Sequence, residues 1–287
     1  MEKTDRNVIP EVMAMFALCF LIKGIEFLYI KTDRTFIGEN VICKVACIIA
    51  TVLVTLRAGY KLSDIGFRRR NVAGYALCGL ALGITTFAAS YGIEMLFLSL
   101  TGREPRLSVY ITNFGLTGAT NEISLSFRAL AICLLGNIIN VLAEEGMFRG
   151  IMLKAASDRW GFTKGNLMQA FLFGFWHIIS SVQGVMEGSM TVPTAILFAA
   201  GYIVLAGMLA FEWGICVNMT GVLWMGMAEH FFNNFISNAL HVLSAGDGGV
   251  VEADSLQILR IVLSNVLSLT IVLAIDRKRN KKTGNRS

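Results

Sequence analysis

Residues 143–150, with the sequence AEEGMFRG, place two adjacent glutamates and an arginine inside an apolar stretch of the chain. Glu145 and Arg149 are four residues apart, so an α-helix would bring them together as an ion pair. Glu144 would lie about 100° around the same helix and would be left out of this pairing. A buried carboxyl group without an ionic partner is a common general base. The sequence therefore predicts either a catalytic glutamate at 144 or a structural ion pair with a surplus acid.

Two histidines can be placed near Glu144 by counting along their predicted helices. From the expected cytoplasmic helix ends, at about 1.5 Å per residue, Glu144 and His230 lie roughly 15 Å deep and His177 roughly 20 Å deep. Asn234 follows His230 by one helical turn, on the same face. Two imidazoles, an amide and a carboxyl group at a similar depth predict a shared polar site.

The elements that must position these side chains are membrane helices. Hydrophobic residues make up 55% of the 287 residues and charged residues 16%, with a mean hydropathy of +0.62. A soluble protein typically has about 25% charged residues. The three prolines, Pro10, Pro105 and Pro193, all stand at the edges of apolar runs. This pattern is typical of helices that cross a membrane without a break.

Apolar runs divide the chain into about eight predicted helices, each near the roughly 20 residues that cross the hydrocarbon layer. We therefore predict an all-α fold, a polytopic transmembrane bundle of about eight helices. The first run contains Lys23 and Glu26 and is too long for a cleaved signal, so we expect it to remain as a helix. The third run is long enough to bend. The runs cover residues 9–30, 41–57, 72–100, 127–153, 166–184, 194–213, 219–243 and 256–275.

Lysine and arginine are distributed unevenly between the predicted loops, which orients the helices by the positive-inside rule. Both termini are expected in the cytoplasm. The asymmetry also explains the net charge of +5, so no nucleic-acid partner is predicted. The opposite side has Lys31, Arg34, Arg103 and Arg106. The cytoplasmic side has Lys3, Arg6, Arg57, Lys61, Arg68, Arg69, Arg70, Lys154, Arg159, Lys164 and the basic tail 276–287, which runs from Arg277 to Arg286.

A single transmembrane domain over residues 1–287 is the simplest organisation, because the sequence shows no internal repeat and no low-complexity linker. The six cysteines are scattered within or beside apolar runs, and no C-x-x-C pair occurs. Neither a disulfide framework nor a thiolate metal site is therefore predicted.

Three short motifs occur in order in three separate predicted helices. EEGMFR at 144–149 fits E-E-x-x-x-R, FGFWH at 173–177 fits F-x-x-x-H, and HFFNN at 230–234 fits H-x-x-x-N. Each motif is weak by itself. The three in this order resemble the CPBP family of membrane proteases, also called Abi, which includes CAAX proteases and bacteriocin-processing enzymes. The resemblance covers about residues 127–243, the expected catalytic core.

By motif position, this resemblance implies a role for each of four residues. Glu144 would activate a water as general base, and His177 would assist it. His230 and Asn234 would donate hydrogen bonds to the oxyanion of the tetrahedral intermediate, where fixed donors are most effective. The reaction would then need no covalent intermediate.

The same resemblance implies a membrane-embedded endopeptidase of the CAAX prenyl protease type, expected in a bacterial cell membrane. Glu145 and Arg149 would be an orienting, structural pair. The implied partners are the lipid bilayer and a peptide or protein substrate, with lipidated and membrane-associated substrates among the candidates. No cofactor and no metal ion are expected.

Two other functions would use the same residues. The first is a zinc metalloprotease with Glu144, His177 and His230 as ligands and a water in the fourth position. It is less favoured because the H-E-x-x-H motif is absent. The second is a non-enzymatic role as a transporter, a bacteriocin-immunity protein or a scaffold that binds a ligand in the polar cavity. Transporters often contain inverted repeats and broken helices, and the sequence indicates neither.

Other polar residues in or near the apolar runs are interpreted as structural. Glu94, Arg128 and Arg260 belong to no motif, so pairing between helices or extension to the membrane surface is favoured. Glu229 is interpreted as a partner of the site or a packing contact. His241 is interpreted as a residue at the outer end of its helix.

Overall fold

The computed structural model describes residues 7–35, 37, 39–112, 126–246, 249–251 and 254–283. Helices dominate these residues, and the predicted all-α bundle of about eight helices is confirmed. Lys3, Arg6 and Arg286, which the sequence assigns to the cytoplasmic ends, lie outside the described residues.

The described helices follow the apolar runs closely. They are α1 (Ile9–Ile25), α2 (Ile42–Arg57), α3 (Val72–Leu100), α4 (Phe127–Glu144), α5 (Leu153–Trp160), α6 (Phe162–Trp176), α7 (Ile178–Met186), α8 (Val192–Thr220), α9 (Trp224–Ala239) and α10 (Asp254–Thr283). A π-helical turn, Glu26–Ile30, extends α1, and a second π-helix, Glu145–Met152, joins α4 to α5.

Several of these helices are long and apolar enough to cross a membrane. Within the described residues there are five such stretches, which supports an integral membrane protein. They are Ile9–Arg34, Val72–Leu100, Phe127–Trp160, Val192–Thr220 and Leu256–Lys282.

Local sequence signals set the ends of the helices that carry the site. The hydroxyl group of Ser126 accepts a hydrogen bond from the backbone N–H of Ala129 (3.1 Å) and caps α4. Pro193 stands in the first turn of α8, where its missing N–H costs nothing. Gly221 ends α8 with a φ of 72°, a left-handed conformation that glycine adopts without strain. The turn that follows leads directly into α9.

The third run, which is long enough to bend, is one continuous helix, α3, with the predicted bounds. Two other runs differ from the observed helices. The run at 166–184 is interrupted at His177, between α6 and α7. The run at 219–243 is helical only as far as Ala239, because Leu240 begins a strand. Apolar composition identifies these runs but cannot separate a helix end from the start of a short buried strand.

A small antiparallel sheet, which the sequence analysis did not predict, lies beyond α9. Its order is β1 (Pro105–Val109), β2 (Leu240–Gly246) and β3 (Gly249–Val251). His241 lies on β2, where its ring stacks on Tyr110 with centroids 3.8 Å apart. His241 therefore follows the end of α9 as interpreted, but in a strand and not in a helix.

Close helix packing brings the elements of the site together. The π-helix Glu145–Met152 contacts α2, α6 and α8, and α4 contacts α2 and α9. A Cβ atom on Gly174 of α6 would lie 2.5 Å from the carbonyl oxygen of Ile203 on α8. Glycine at 174 therefore allows these two helices to approach more closely than a larger residue would permit.

The loops assigned to one side of the membrane also meet in the structure. Lys31 and Arg34 both contact the carboxylate of Glu187, at 2.7 and 2.5 Å. At the other end of the bundle, the hydroxyl group of Tyr60 donates to Asp158 at 2.7 Å. These contacts agree with the predicted assignment of the loops to two sides of the membrane. They do not identify which side is cytoplasmic.

Candidate active site

The two adjacent glutamates lie at the junction between α4 and the π-helix. Glu144 is the last residue of α4 and Glu145 the first of the π-helix, and their exposed fractions are 6% and 0%. Ideal α-helical spacing predicts that they point in different directions. Both instead face the imidazole of His230, and π-helical turns of this kind occur frequently at functional sites.

The carboxylate of Glu144 is held by two neutral donors. The side-chain amide of Asn140 donates to Oε2 at 3.2 Å, and the indole N–H of Trp176 donates to Oε1 at 2.9 Å. His230 Nε2 lies 3.6 Å from the same Oε2 atom, beyond ordinary hydrogen-bond distance. Asn140 is thus a direct partner of Glu144, while Asn137 donates to the Cys133 carbonyl on its own helix.

Glu145 has a different set of partners. Its Oε1 atom lies 3.0 Å from Nη2 of Arg149 and 2.9 Å from Nδ1 of His230. The predicted ion pair between residues 145 and 149 is confirmed. The contact with His230 was not predicted, and it connects this pair to Glu144. We refer to Glu144, Glu145, Arg149 and His230 as the polar cluster.

Aromatic rings surround the guanidinium group of Arg149. Its central carbon lies 4.0 Å from the ring centre of Phe173 and 4.5 Å from that of Trp213. A planar guanidinium stacks on aromatic faces better than an ammonium group does. Trp213 also stacks on His230, with centroids 4.1 Å apart, and donates its indole N–H to Glu229. The interpretation of Glu229 as a partner of the site thus has support.

The tautomer of His230 follows from its contacts. The Glu145 carboxylate can only accept a hydrogen bond, so Nδ1 of His230 carries the donated proton. Nε2 then faces Glu144. In the neutral ring this atom presents a lone pair, and only the imidazolium form can donate from it.

His177 stands at the break between α6 and α7. Its Nδ1 atom lies 2.8 Å from the carbonyl oxygen of Phe173, which only accepts, so Nδ1 donates. In the neutral ring, Nε2 is therefore an acceptor. The half-buried side chain packs against Tyr202 and interacts electrostatically with Glu144.

Asn234 lies on α9, one turn after His230, as predicted. It is half-buried. The described residues give its side chain no hydrogen bond to the polar cluster or to His177. In the structure, Glu144 thus lies close to His230 and interacts electrostatically with His177. Asn234 lies on the same helix as His230, one turn further along.

A small cavity adjoins the carboxylate of Glu144. Its volume is about 30 Å³, enough for one water molecule. The wall includes polar side chains from three helices, Lys23 of α1, Asn140 of α4 and Trp176 of α6, together with Cys47 of α2. A water here would find several hydrogen-bonding partners next to a carboxylate.

Three of these neighbours were not assigned to the site from the sequence. Trp176 precedes the motif residue His177, and this position in the sequence was the signal that could have assigned it to the site. Lys23 was visible as a charge within an apolar run, a common indication of function. Trp213 belongs to no motif, and its place beside His230 depends on the packing of α8 against α9.

The structural interpretation of the remaining charges is also tested. Arg260 and Glu94 form a buried ion pair between α10 and α3 at 2.7 Å, as predicted. Arg128 is exposed near the start of α4. Among the described residues, no group of three or more His, Cys, Asp or Glu side chains is arranged to hold a metal ion. A chelator is the direct test of the zinc hypothesis.

Comparison with known proteins agrees with the motifs. Residues 126–236 match the family model of Rce1-like proteins, described as type II CAAX prenyl endopeptidase Rce1-like. No curated protein and no solved structure gave a significant match. The matched segment begins at the cap of α4 and ends within α9, so it contains all three motifs. The predicted resemblance is confirmed: over these residues the chain is similar to the Rce1-like family of type II CAAX prenyl endopeptidases.

Proposed function

We propose that this protein hydrolyses a peptide bond within the membrane, with Glu144 as the general base. The observation that carries the proposal is the environment of the Glu144 carboxylate. Asn140 and Trp176 fix its two oxygens beside a cavity with room for one water. Fixed orientation of a base and its water removes much of the entropic cost of the reaction.

The chemistry needs only this water and the side chains. Glu144 takes a proton from the water as its oxygen attacks the carbonyl carbon of the substrate. When the C–N bond breaks, the protonated carboxyl group returns that proton to the departing amine nitrogen. Nε2 of neutral His177 is an acceptor that can orient the second hydrogen of the water.

Stabilisation of the oxyanion is assigned to His230 and Asn234. Glu145 accepts the Nδ1 proton of His230, and a carboxylate in this position stabilises an imidazolium ring. The imidazolium could donate from Nε2, and the amide of Asn234 could supply a second donor. Loss of one such donor typically lowers kcat by about 10²–10³. We expect Asn234→Ala to fall in this range with little change in folding.

The substrate class follows from the family description. We propose a peptide with a prenylated cysteine near its carboxyl terminus, cleaved next to that residue. We also propose a bacterial cell membrane, with both termini and the opening of the site on the cytoplasmic side, because the basic residues favour this orientation. Reporter fusions at residue 190 or 250 test the topology, since a cytoplasmic reporter at either position would contradict it.

The direct test uses the purified protein in detergent with a fluorescence-quenched peptide that carries a farnesylated carboxyl-terminal motif. A matched peptide without the farnesyl group measures how much the lipid contributes. We expect cleavage with and without a chelator. Loss of activity in the chelator, restored by zinc, would favour the metalloprotease. No cleavage of either peptide by the folded protein would favour a binding role.

A further inference from the structure

Lys23 is a buried lysine in the last turn of α1, outside the segment that matches the family. Its exposed fraction is 6%. An ammonium group within the hydrocarbon layer is unfavourable, so such lysines usually have a partner or a function. A lysine near the end of a helix can extend to the membrane surface, whereas this side chain turns inward to the cavity beside Glu144.

Two aromatic contacts fix the ammonium group. Nζ of Lys23 lies 4.4 Å from the ring centre of Trp176 and 5.2 Å from that of Phe27. Such contacts are attractive for the charged form of the amine. The same indole ring donates its N–H to Glu144 at 2.9 Å. A cation over the ring face draws electron density from the indole and makes its N–H a stronger donor, as in other polarised hydrogen-bond chains.

The other cationic side chains near Glu144 are paired with other carboxylates, so they do not serve as its counter-charge. Arg149 is paired with Glu145 at 3.0 Å. The other lysine that lines the cavity, Lys44, is paired with Glu39 at 2.7 Å. Lys23 lines the same cavity and interacts electrostatically with Glu144. An ionised carboxylate buried without a counter-charge would be strongly unfavourable.

We propose that Lys23 is a positioning residue that keeps Glu144 ionised and, through Trp176, correctly oriented toward the attacking water. The kinetic consequences of this proposal rest on the proposed function of Glu144 as the general base.

Other titratable groups also face Glu144; a cationic group favours its ionisation, whereas the Glu145 carboxylate opposes it. From α2 these are Cys43, Lys44 and Cys47. From the π-helix, α6 and α9 they are Glu145, Arg149, His177 and His230. Lys23 differs from Lys44 and Arg149 because no carboxylate other than that of Glu144 is assigned to it among the described contacts.

The kinetic test compares Lys23→Met and Lys23→Arg with wild type. In Lys23→Met we expect kcat to fall at least about tenfold, equivalent to about 1.4 kcal/mol, with KM nearly unchanged. The acidic limb of the pH–rate profile should move to higher pH, because a neutral Glu144 cannot accept a proton. Lys23→Arg keeps the charge and should recover much of kcat. A purely structural lysine would alter yield without moving the pH profile.

Lys154→Met is the matched control. Lys154 also contacts an aromatic ring, that of Tyr60 at 5.3 Å, and an acid, Asp158 at 2.6 Å. It lies ten residues beyond Glu144, roughly 15 Å along the helix, so its kcat should equal that of wild type. If Lys44→Met lowered kcat as much as Lys23→Met, the specific role of Lys23 would be disproved.

A second measurement does not depend on catalysis. Dicyclohexylcarbodiimide is an apolar reagent that couples to protonated carboxyl groups, and mass spectrometry locates the adduct. We expect several-fold faster labelling of Glu144 in folded Lys23→Met than in wild type or Lys23→Arg. Equal labelling in all three would overturn the proposal. If wild type cleaves no peptide but the labelling still differs, the proposed function fails while the electrostatic role of Lys23 stands.

Discussion

Two buried sites of this membrane protein contain acids and an arginine, and they differ in the balance of their charges. Between α3 and α10, Glu94 and Arg260 form one ion pair at 2.7 Å, with the ring centre of Tyr91 4.4 Å from the guanidinium carbon. In the polar cluster, two carboxylates accompany a single arginine, and His230 lies between them. In the first site the carboxylate contacts an arginine, whereas in the second only Glu145 does so and Glu144 has no arginine partner among the described contacts.

This difference distinguishes a structural ion pair from a site that can take part in a reaction. A matched pair of buried charges can connect two helices without any further role, and its removal as a pair is often tolerated. A surplus carboxylate adds an insertion cost of about 2.5–3.5 kcal/mol that a structural pair does not need. The surplus acid in the polar cluster also adjoins a cavity, whereas the Glu94 carboxylate is engaged by Arg260. Variants that change one charge at a time can test this distinction.

The largest expected effect is the loss of activity in Glu144→Gln. The amide keeps the shape of the side chain but cannot take a proton from water, so cleavage should fall by about 10²–10⁴. Stability should change little, because the variant removes a costly buried acid but also removes the counter-charge of Lys23. His177→Ala should also abolish proteolysis while the protein stays folded. Initial cleavage rates and thermal unfolding in detergent measure both effects.

These two measurements must agree for the assignment to hold. Near wild-type turnover in Glu144→Gln would exclude it as the general base. If Glu144→Gln were instead the most destabilised variant in the series, residue 144 would be structural, and the contrast with Glu94 would disappear.

Arg149→Ala should have the largest effect on stability. It leaves the buried Glu145 carboxylate without its arginine, and breaking a buried pair costs about 3–5 kcal/mol. The double variant Glu145→Gln/Arg149→Met should recover part of this loss, because no unpaired charge remains. Arg149→Lys keeps the charge but loses the planar stack on Phe173 and Trp213. Folded yield and thermal unfolding should therefore rank it between wild type and Arg149→Ala.

The same experiment at the pair of Glu94 and Arg260 tests a site that has only a structural role. Arg260→Ala should also destabilise the fold by about 3–5 kcal/mol, because Glu94 stays buried while its arginine partner is removed. The folded fraction should cleave substrate at the wild-type kcat, since this pair connects α3 to α10 and not the polar cluster. A drop in kcat at constant folded fraction would show that the two sites are coupled.

Much of the fold was accessible from the sequence because the bilayer restricts the choices. Backbone groups in hydrocarbon must be satisfied internally, so apolar runs of sufficient length become helices. The boundaries of α2 and α3 lie within one residue of the predicted runs. The small sheet was not predicted, because the pairing of β1 with β2 connects residues more than 130 positions apart. The conformation at Leu240 depends on that distant partner.

The site was predictable in its residue types but not in its contacts. Spacing indicated the Glu145–Arg149 pair, and depth counting grouped Glu144 with His230. The π-helix changed the outcome, because it turned Glu145 as well toward His230. No local signal for this geometry was found in the sequence, since the helix type depends on how α4 packs against its neighbours. The place of Lys23 likewise follows from the packing of α1 against α2 and α6.

The smallest expected effect is at the exposed ion cluster of Glu187, which sharpens the contrast between buried and surface charges. Partial burial opposes ionisation of Glu187, but hydrogen bonds from Lys31 and Arg34 outweigh it and lower its pKa to about 2. Its folded pKa is thus below its usual 4.5. The stabilisation is present above about pH 4.5 and is lost as the pH falls toward 2.

Glu187→Gln should therefore cost less than about 1 kcal/mol at pH 7, because exposed ion pairs are screened by water and salt. Both cations contact the same carboxylate oxygen, so Lys31→Met leaves the Arg34 contact and should cost less than Glu187→Gln. The difference from wild type should stay constant from pH 7 to 5 and shrink below pH 4.5. Thermal unfolding at several pH values and at high salt provides the measurement. A loss of several kcal/mol, comparable to Arg149→Ala, would mean that this outer contact supports the fold as strongly as a buried pair.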